Sequence, residues 1–286
     1  MIRSNSEEHS VAKMCRVFEV SESGYYAWQR EPESATKQEN QAIFEALKTS
    51  YDQNKGRAGL DKMLEDVQIQ FPKCSRNRLY KIQKRHKLYS IRKRKFKATT
   101  NSKHDYLVAQ NLLNQNFHVD EPNKVWVTDI SYIGTDEGWL YLATVKDLFD
   151  RQIVGFSTGK LINTELCKRA LCSAIRRYKP GFGLIHHSDR GVQYASKDYQ
   201  SLLKNNHMIC SMSRSGVPYD NACAETFFST IKLEMIYHEH YRTRSQAQAA
   251  IFEYIEIYYN RQRRNAAIGN IPPCEFRRRF YHQQVA

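Results

Sequence analysis

The amino-acid sequence predicts a mixed α/β sheet, preceded by short basic helices and followed by further helices. Three observations carry that expectation. Hydrophobic spacing changes from helical before Asn101 to strand-like after it. The later segments then run as three strands with tight returns, followed by helix, strand, helix, strand and helix. Finally, the chain of 286 residues has a formal net charge of +14, with twelve Lys or Arg and no acid between Lys73 and Lys97.

The elements follow in order. Val11, Met14, Cys15 and Phe18 recur at helical spacing and form one apolar stripe. After a break at Val20-Ser21, the segment Ser21 to Gly24 leads into a second short helix through Tyr25-Tyr26-Ala27-Trp28. The polar stretch from Arg30 to Asn40, which contains Pro32, reads as a linker. Ile43, Leu47 and Tyr51 mark the next helix, and Leu60, Met63, Leu64 and Val67 the one after it. Pro72 stops that helix, and Ser75 caps a third that carries Leu79, Ile82 and Leu88. Three short helices ending in a basic one have the form of a helix-turn-helix module, although a generic helical adaptor has the same pattern.

The run Val125 to Ile133 is strongly strand-like, Gly134 to Gly138 supplies a turn, and Trp139 to Phe149 is a second strand. Asp150-Arg151 returns the chain into a third, Gln152 to Thr158, which completes an antiparallel meander. A helix is expected from Thr164 to Tyr178, a strand over Gly183 to Asp189, a helix over Lys197 to Asn205 and a strand over Met208 to Met212. Asp220 is placed to cap a helix reaching Tyr237, and Thr243 to cap another carrying Ala247, Ile251, Tyr254 and Tyr258.

Composition narrows the function. No stretch approaches 18 consecutive apolar residues and no apolar signal core follows Met1, so the expectation is a soluble cytoplasmic protein with no membrane partner. The seven cysteines lack a C-x-x-C pair or a His pair at zinc-finger spacing and read as reduced thiols. Basic blocks face polyanions, and the interleaved Tyr80, Tyr89 and Phe96 suit nucleic acid.

Three acidic residues stand out. Asp129 lies mid-strand among apolar residues, where a charge is costly unless compensated. Asp189 sits at a strand end, and Glu225 in the first turns of a helix beside Ala222 and Ala224. Each alone has an ordinary reading as edge residue, turn residue or helix N-terminal acid. Together, carboxylates on two strands and a helix have the oxygen chemistry that holds Mg²⁺ or Mn²⁺. Asp147 is expected to be structural. His186 and His187 alternate to opposite faces, and Ser131 and Ser188 lack a matching His–Asp set.

The segments VWVTDISYI around Asp129, HHSDRGVQYAS around Asp189 and SGVPYDNACAETFFSTIKLE around Glu225 resemble the integrase-like transposases of bacterial insertion sequences, specifically their second-reading-frame protein, OrfB. Thirty-five residues separate Asp189 from Glu225, a spacing shared with retroviral integrases. YNRQRRNAAIGNIPPCEF is similar to the family's closing motif, and MCRVFEVSESGYYAW to its start. The chain departs from the usual pattern at Gly56-Arg57-Ala58-Gly59, at Val217-Pro218 and at Asn265.

The resemblance implies a ribonuclease H-like fold, with Asp129, Asp189 and Glu225 as catalytic metal ligands. Two Mg²⁺ (or Mn²⁺) ions per site would support cleavage of element ends and joining of their 3′-hydroxyls to target DNA. It implies terminal inverted repeats as substrate, a homo-oligomer on DNA at the nucleoid, and an upstream-frame partner protein. Lys232, seven residues after Glu225, falls where the family has a basic residue at the DNA end. The basic cluster Arg92, Lys93, Arg94 and Lys95 is read as contacting DNA. The expected organisation is a helical segment and linker (1–40), a helix-turn-helix-like basic DNA-binding region (41–118), a catalytic core (119–240) and a helical extension (241–286). The alternative is a DNA-binding regulator derived from a transposase, without catalysis; a structure-selective nuclease of the same fold would differ only in not joining strands.

Overall fold

The computed structural model describes residues 1–30, 34–91 and 108–285. The cluster Arg92, Lys93, Arg94 and Lys95 lies outside the described residues. The chain divides into two compact units, Met1–Ser90 and Ile91–Ala286.

The first unit is helical: α1 (Val11–Val17), α2 (Glu22–Arg30), α3 (Ala35–Gln53), α4 (Leu60–Gln70) and α5 (Arg76–His86). The polar stretch expected as a linker is helical from Ala35 onward. Ser34 caps it by accepting from the Lys37 N–H, and its residues are mostly good helix formers. The polarity there marks the exposed turns of a long helix. Ser75 caps α5 as expected, its hydroxyl accepting from the Arg78 N–H at 3.2 Å. Ile43, Leu47, Met63, Val67, Leu79 and Ile82 from α3, α4 and α5 pack into one core.

The second unit is built on β1 (Val125–Thr135), β2 (Gly138–Asp147), β3 (Ile153–Gly159), β4 (Ile185–Ser188) and β5 (Ile209–Met212). The sheet order is β3-β2-β1-β4-β5. The first three strands form the predicted antiparallel meander, while β1–β4 and β4–β5 are parallel. Between β1 and β2 the turn narrows to Asp136-Glu137, with Gly138 at φ +102°, a conformation that suits a residue without a Cβ.

Helices cover both faces. The α6 helix (Thr164–Tyr178), the one-turn α7 (Val192–Ala195) and α8 (Lys197–Asn205) pack on Trp126, Val145 and Val154. A Cβ at Gly155 would lie 2.4 Å from the Ala170 carbonyl oxygen, so glycine is what lets α6 seat closely on β3. On the opposite face, α9 (Ala222–Glu234) and α10 (Arg244–Phe252) cover Ile133, Leu140 and Leu142. Thr243 caps α10 as expected, and a π-helical stretch, Glu253–Tyr259, continues it. A further helix, α11 (Pro273–Val285), follows the double proline. Pro273 opens it, because proline at the first helical position gives up no needed N–H.

This is the ribonuclease H-like arrangement that the resemblance implied. Among the described residues no helix is long and apolar enough to cross a membrane.

Candidate active site

Register alone brings Asp129 and Asp189 level. Val127 pairs with His187 across the parallel β1–β4 ladder, and each carboxylate lies two residues beyond, on the same side as its predecessor. Asp189 therefore stands just past the carboxyl end of β4, level with Asp129 in the middle of the neighbouring parallel β1. Val127 and Ile133 flank Asp129 on its own face and pack against residues of α9. The Asp129 carboxylate thus faces the helix that carries Glu225.

Asp189 is held by its own turn. Its Oδ1 accepts from the Gly191 N–H at 2.9 Å, and a Cβ at Gly191 would meet that same oxygen at 2.9 Å. Arg190 points away, donating to the Ser213 carbonyl at 2.7 Å. The α9 helix is positioned by a buried polar network around Asp220. That carboxylate accepts from Arg214 through Nε and Nη2, both at 2.9 Å, from Asn111 at 2.8 Å and from Gln115 at 3.0 Å. Asp220 was expected to cap α9, but these partners take its oxygens, and the residue at the cap position, Asn221, makes no side-chain cap bond.

The electrostatics register the convergence. Burial first, and then the charge of Asp189, push the Asp129 carboxyl well above the usual carboxylate range; Glu225 adds to the effect. The Ile130 N–H, donating at 2.8 Å, and the Lys232 ammonium oppose it. Glu225 is exposed by area, yet partial burial and the charge of Asp189 raise its carboxyl too. Lys232 reaches the same neighbourhood, its Nζ 5.0 Å from the centre of the Tyr132 ring. Burial lowers its pKa, against the pull of Tyr132 and Asp129.

A divalent cation fits this chemistry. Carboxylates that raise one another's pKa are relieved by positive charge, and all three donors are hard oxygens. Asn221 adds a buried side-chain oxygen without a hydrogen-bond partner; its amide Nδ2 lies 3.5 Å from the carbonyl of Thr128, the residue before Asp129. Among the described residues no three His, Cys, Asp or Glu side chains form a closed ligand cluster. The carboxylates share one field rather than a finished cage.

The other candidates fall away. Asp147 is buried and paired with Arg277 of α11 at 2.7 Å. His186 is hydrogen-bonded to Tyr199 at 3.0 Å, and His187 to Ser211 and Ser213. Burial lowers both histidines, to about 3 and about 4, so neutral rings are locked into the core on opposite faces. Sequence reasoning overlooked Lys146, whose buried ammonium donates to the Cys223 carbonyl in the first turn of α9 at 2.9 Å. Strand alternation puts it on the Asp129 face, and a lone charge at an inward position is the signal that pointed to it.

Models of the integrase core domain match residues 119–218 and 225–280, spanning the strands and helix that bear the three carboxylates. An uncharacterized 31 kDa protein of insertion element IS600 from Shigella sonnei is 43% identical over 273 residues, 96% of this chain and 100% of that one. The transposase InsF for insertion sequence IS3A of Escherichia coli (strain K12) is 38% identical over 277 residues, 96% of each chain. Among solved structures, the HTLV-2 integrase catalytic core domain in complex with magnesium aligns with a TM-score of 0.43 at 15% identity, over 55% of this chain and 97% of that one. The chain belongs to the IS3-family insertion-sequence transposases, enzymes of the polynucleotidyl transferase type.

Proposed function

We propose that this transposase cleaves the ends of its own element and joins the freed 3′-hydroxyls to target DNA, with Asp129, Asp189 and Glu225 holding two Mg²⁺ or Mn²⁺ ions. The observation that carries the reading is the shared field of the three carboxylates where β1, β4 and α9 converge. Bound there, the ions would supply Lewis-acid activation of the attacking oxygen and relief of charge on the leaving one. Asp129, which feels the charge of both other carboxylates, would hold the ions together with Asp189 and Glu225. Lys232 holds a DNA-end phosphate as a mobile point charge beside the carboxylates without ligating metal. No side-chain nucleophile takes part.

The DNA substrates are the terminal inverted repeats and a target duplex, bound by a homo-oligomer, with a partner protein from an upstream reading frame. Arg92, Lys93, Arg94 and Lys95 contribute phosphate contacts. The test is to incubate the full chain with labelled element ends and Mg²⁺, then to repeat it with Asp129→Asn, Asp189→Asn and Glu225→Gln. Wild type should yield cleaved and joined products, and each variant neither, with DNA binding kept. Near-normal turnover by any one variant removes that residue from the set. Binding without chemistry by the wild type would favour the regulator reading, and cleavage without joining a nuclease.

A further inference from the structure

The helical unit carries a second surface, remote in sequence from the carboxylates. Acids are absent from α5, whereas α3 and α4 carry both signs, with Lys37, Lys48 and Lys62 among their acids. Glu39, Glu45 and Asp52 lie on α3, and Asp61, Glu65 and Asp66 on α4, whereas α5 has no acid and five Lys or Arg. Two of those five are already engaged within the unit: Arg76 with Asp61 at 2.6 Å and Arg78 with Glu39 at 2.8 Å. That leaves Lys81, Lys84 and Arg85, all exposed.

The exposed side of α5 has a definite pattern. Asn77, Tyr80, Lys81 and Lys84 recur at i, i+3, i+4 and i+7 and form one solvent-facing stripe, while Leu79, Ile82 and Gln83 turn inward. Among the described residues, none of the side chains of Asn77, Lys81, Lys84 or Arg85 has a hydrogen-bond or ion-pair partner. Tyr80 is left 48% exposed. The helix is rigidly presented: Gln68 of α4 fixes the α4–α5 turn by donating to the Cys74 carbonyl at 2.9 Å, and Phe44 of α3 stacks on His86 with ring centres 3.7 Å apart.

We infer that α5 is the recognition helix of a helix-turn-helix and reads base edges in the DNA major groove. A helix with side chains is about 10–12 Å across and the B-form major groove about 12 Å wide. Such helices contact bases through their N-terminal residues. Asn77 and Lys81 are the base readers, since Asn pairs with the adenine N6/N7 edge and Lys with guanine O6/N7. Lys84 and Arg85, nearer the C-terminus, contact phosphates, and Tyr80 packs its ring between the two sets. The basic reach on α5 thereby gains a sequence-reading role that a purely electrostatic patch lacks.

The inference rests on the chain acting on DNA, but its test needs no metal and no chemistry, so the two readings fail separately. Binding of the full chain is followed by fluorescence anisotropy on a duplex of the element's terminal repeat and on a scrambled duplex. Asn77→Ala and Lys81→Ala are each expected to lower the preference for the repeat about tenfold while leaving scrambled-duplex binding within about twofold. Lys84→Ala/Arg85→Ala should weaken both duplexes alike and flatten the log–log salt slope by about 1.8. A repeat duplex built with 7-deazapurines, which removes major-groove N7 acceptors alone, should lose the wild-type preference. All four positions are exposed, and an unchanged thermal midpoint verifies that the variants fold. Wild type without preference for the repeat, a preference untouched by Asn77→Ala and Lys81→Ala, an unchanged salt slope, or tighter binding to duplex RNA would each overturn the assignment.

Discussion

Replacing Lys146 by Met tests how much a buried charge costs this fold. The ammonium is only 5% exposed, and among the described residues it has no carboxylate partner. Burial first, and then the charges of Arg151 and Arg263, lower its pKa from 10.5 to about 8, a penalty on the charged form of about 3 kcal/mol. The unfolded chain keeps that proton up to the ordinary lysine range, whereas the folded chain gives it up near 8. Between those values the unfolded state holds more protons, so stability rises with pH; below about 8 the full penalty is present. Met keeps most of the length of Lys without its charge and forfeits the ammonium's bond to the Cys223 carbonyl, worth about 2 kcal/mol. That carbonyl keeps the Thr226 hydroxyl at 3.1 Å. The expected result at pH 7 is a gain of about 1 kcal/mol, fading as the pH approaches 10. Urea unfolding of both proteins from pH 6 to 10, followed by the fluorescence of buried Trp126, reads it directly. A Met variant that is less stable at pH 7, or a difference that ignores pH, would refute the reasoning and show that the Cys223 bond outweighs the cost of burying the charge.

Three further outcomes are expected. Lys232→Ala should keep fold and metal binding but lose joining of a pre-cut end at saturating DNA and Mg²⁺, while Lys232→Arg retains part of it; equal rates for Ala and wild type would make Lys232 a surface residue. Replacing Arg92, Lys93, Arg94 and Lys95 by Gln should weaken binding to every DNA sequence and flatten the log–log salt slope by about 0.9 for each phosphate no longer neutralised; an unchanged slope means the cluster does not touch the backbone. Arg277→Met should cost about 3–5 kcal/mol at neutral pH by stranding two buried carboxylates, with the deficit shrinking on acidification as they take up protons; a loss under about 1 kcal/mol in urea titrations would show that the ion pairs add little beyond an ordinary hydrogen bond.

What was legible in the sequence is what local chemistry decides. The meander, α6, α8 and the caps at Ser75 and Thr243 follow from periodicity and capping residues within a few positions of each other. The three carboxylates were singled out together because Asp129 is a charge inside an apolar strand and because the motifs around all three resemble those of insertion-sequence transposases. Asp220 misled, since capping is a local rule and its partners Asn111 and Gln115 lie 109 and 105 residues upstream. The start of α3 misled because an exposed helical turn and a linker share the same polar composition. Arg277 gave no signal at all: one arginine among several in a basic stretch is distinguished only by the two acids it meets across the fold.

Those two acids make the core answerable to a helix translated long after it. Arg277 joins Asp150 and Asp147, so the hairpin of β2 and β3 holds a pair of acids from early in synthesis and receives their cation only with α11. A ribosome that stops before that helix, or a protease that trims it away, leaves a chain whose edge hairpin closes only by burying those acids without their cation. In this transposase the last helix is thereby tied, through one guanidinium, to the strand that pairs with the Asp129 strand.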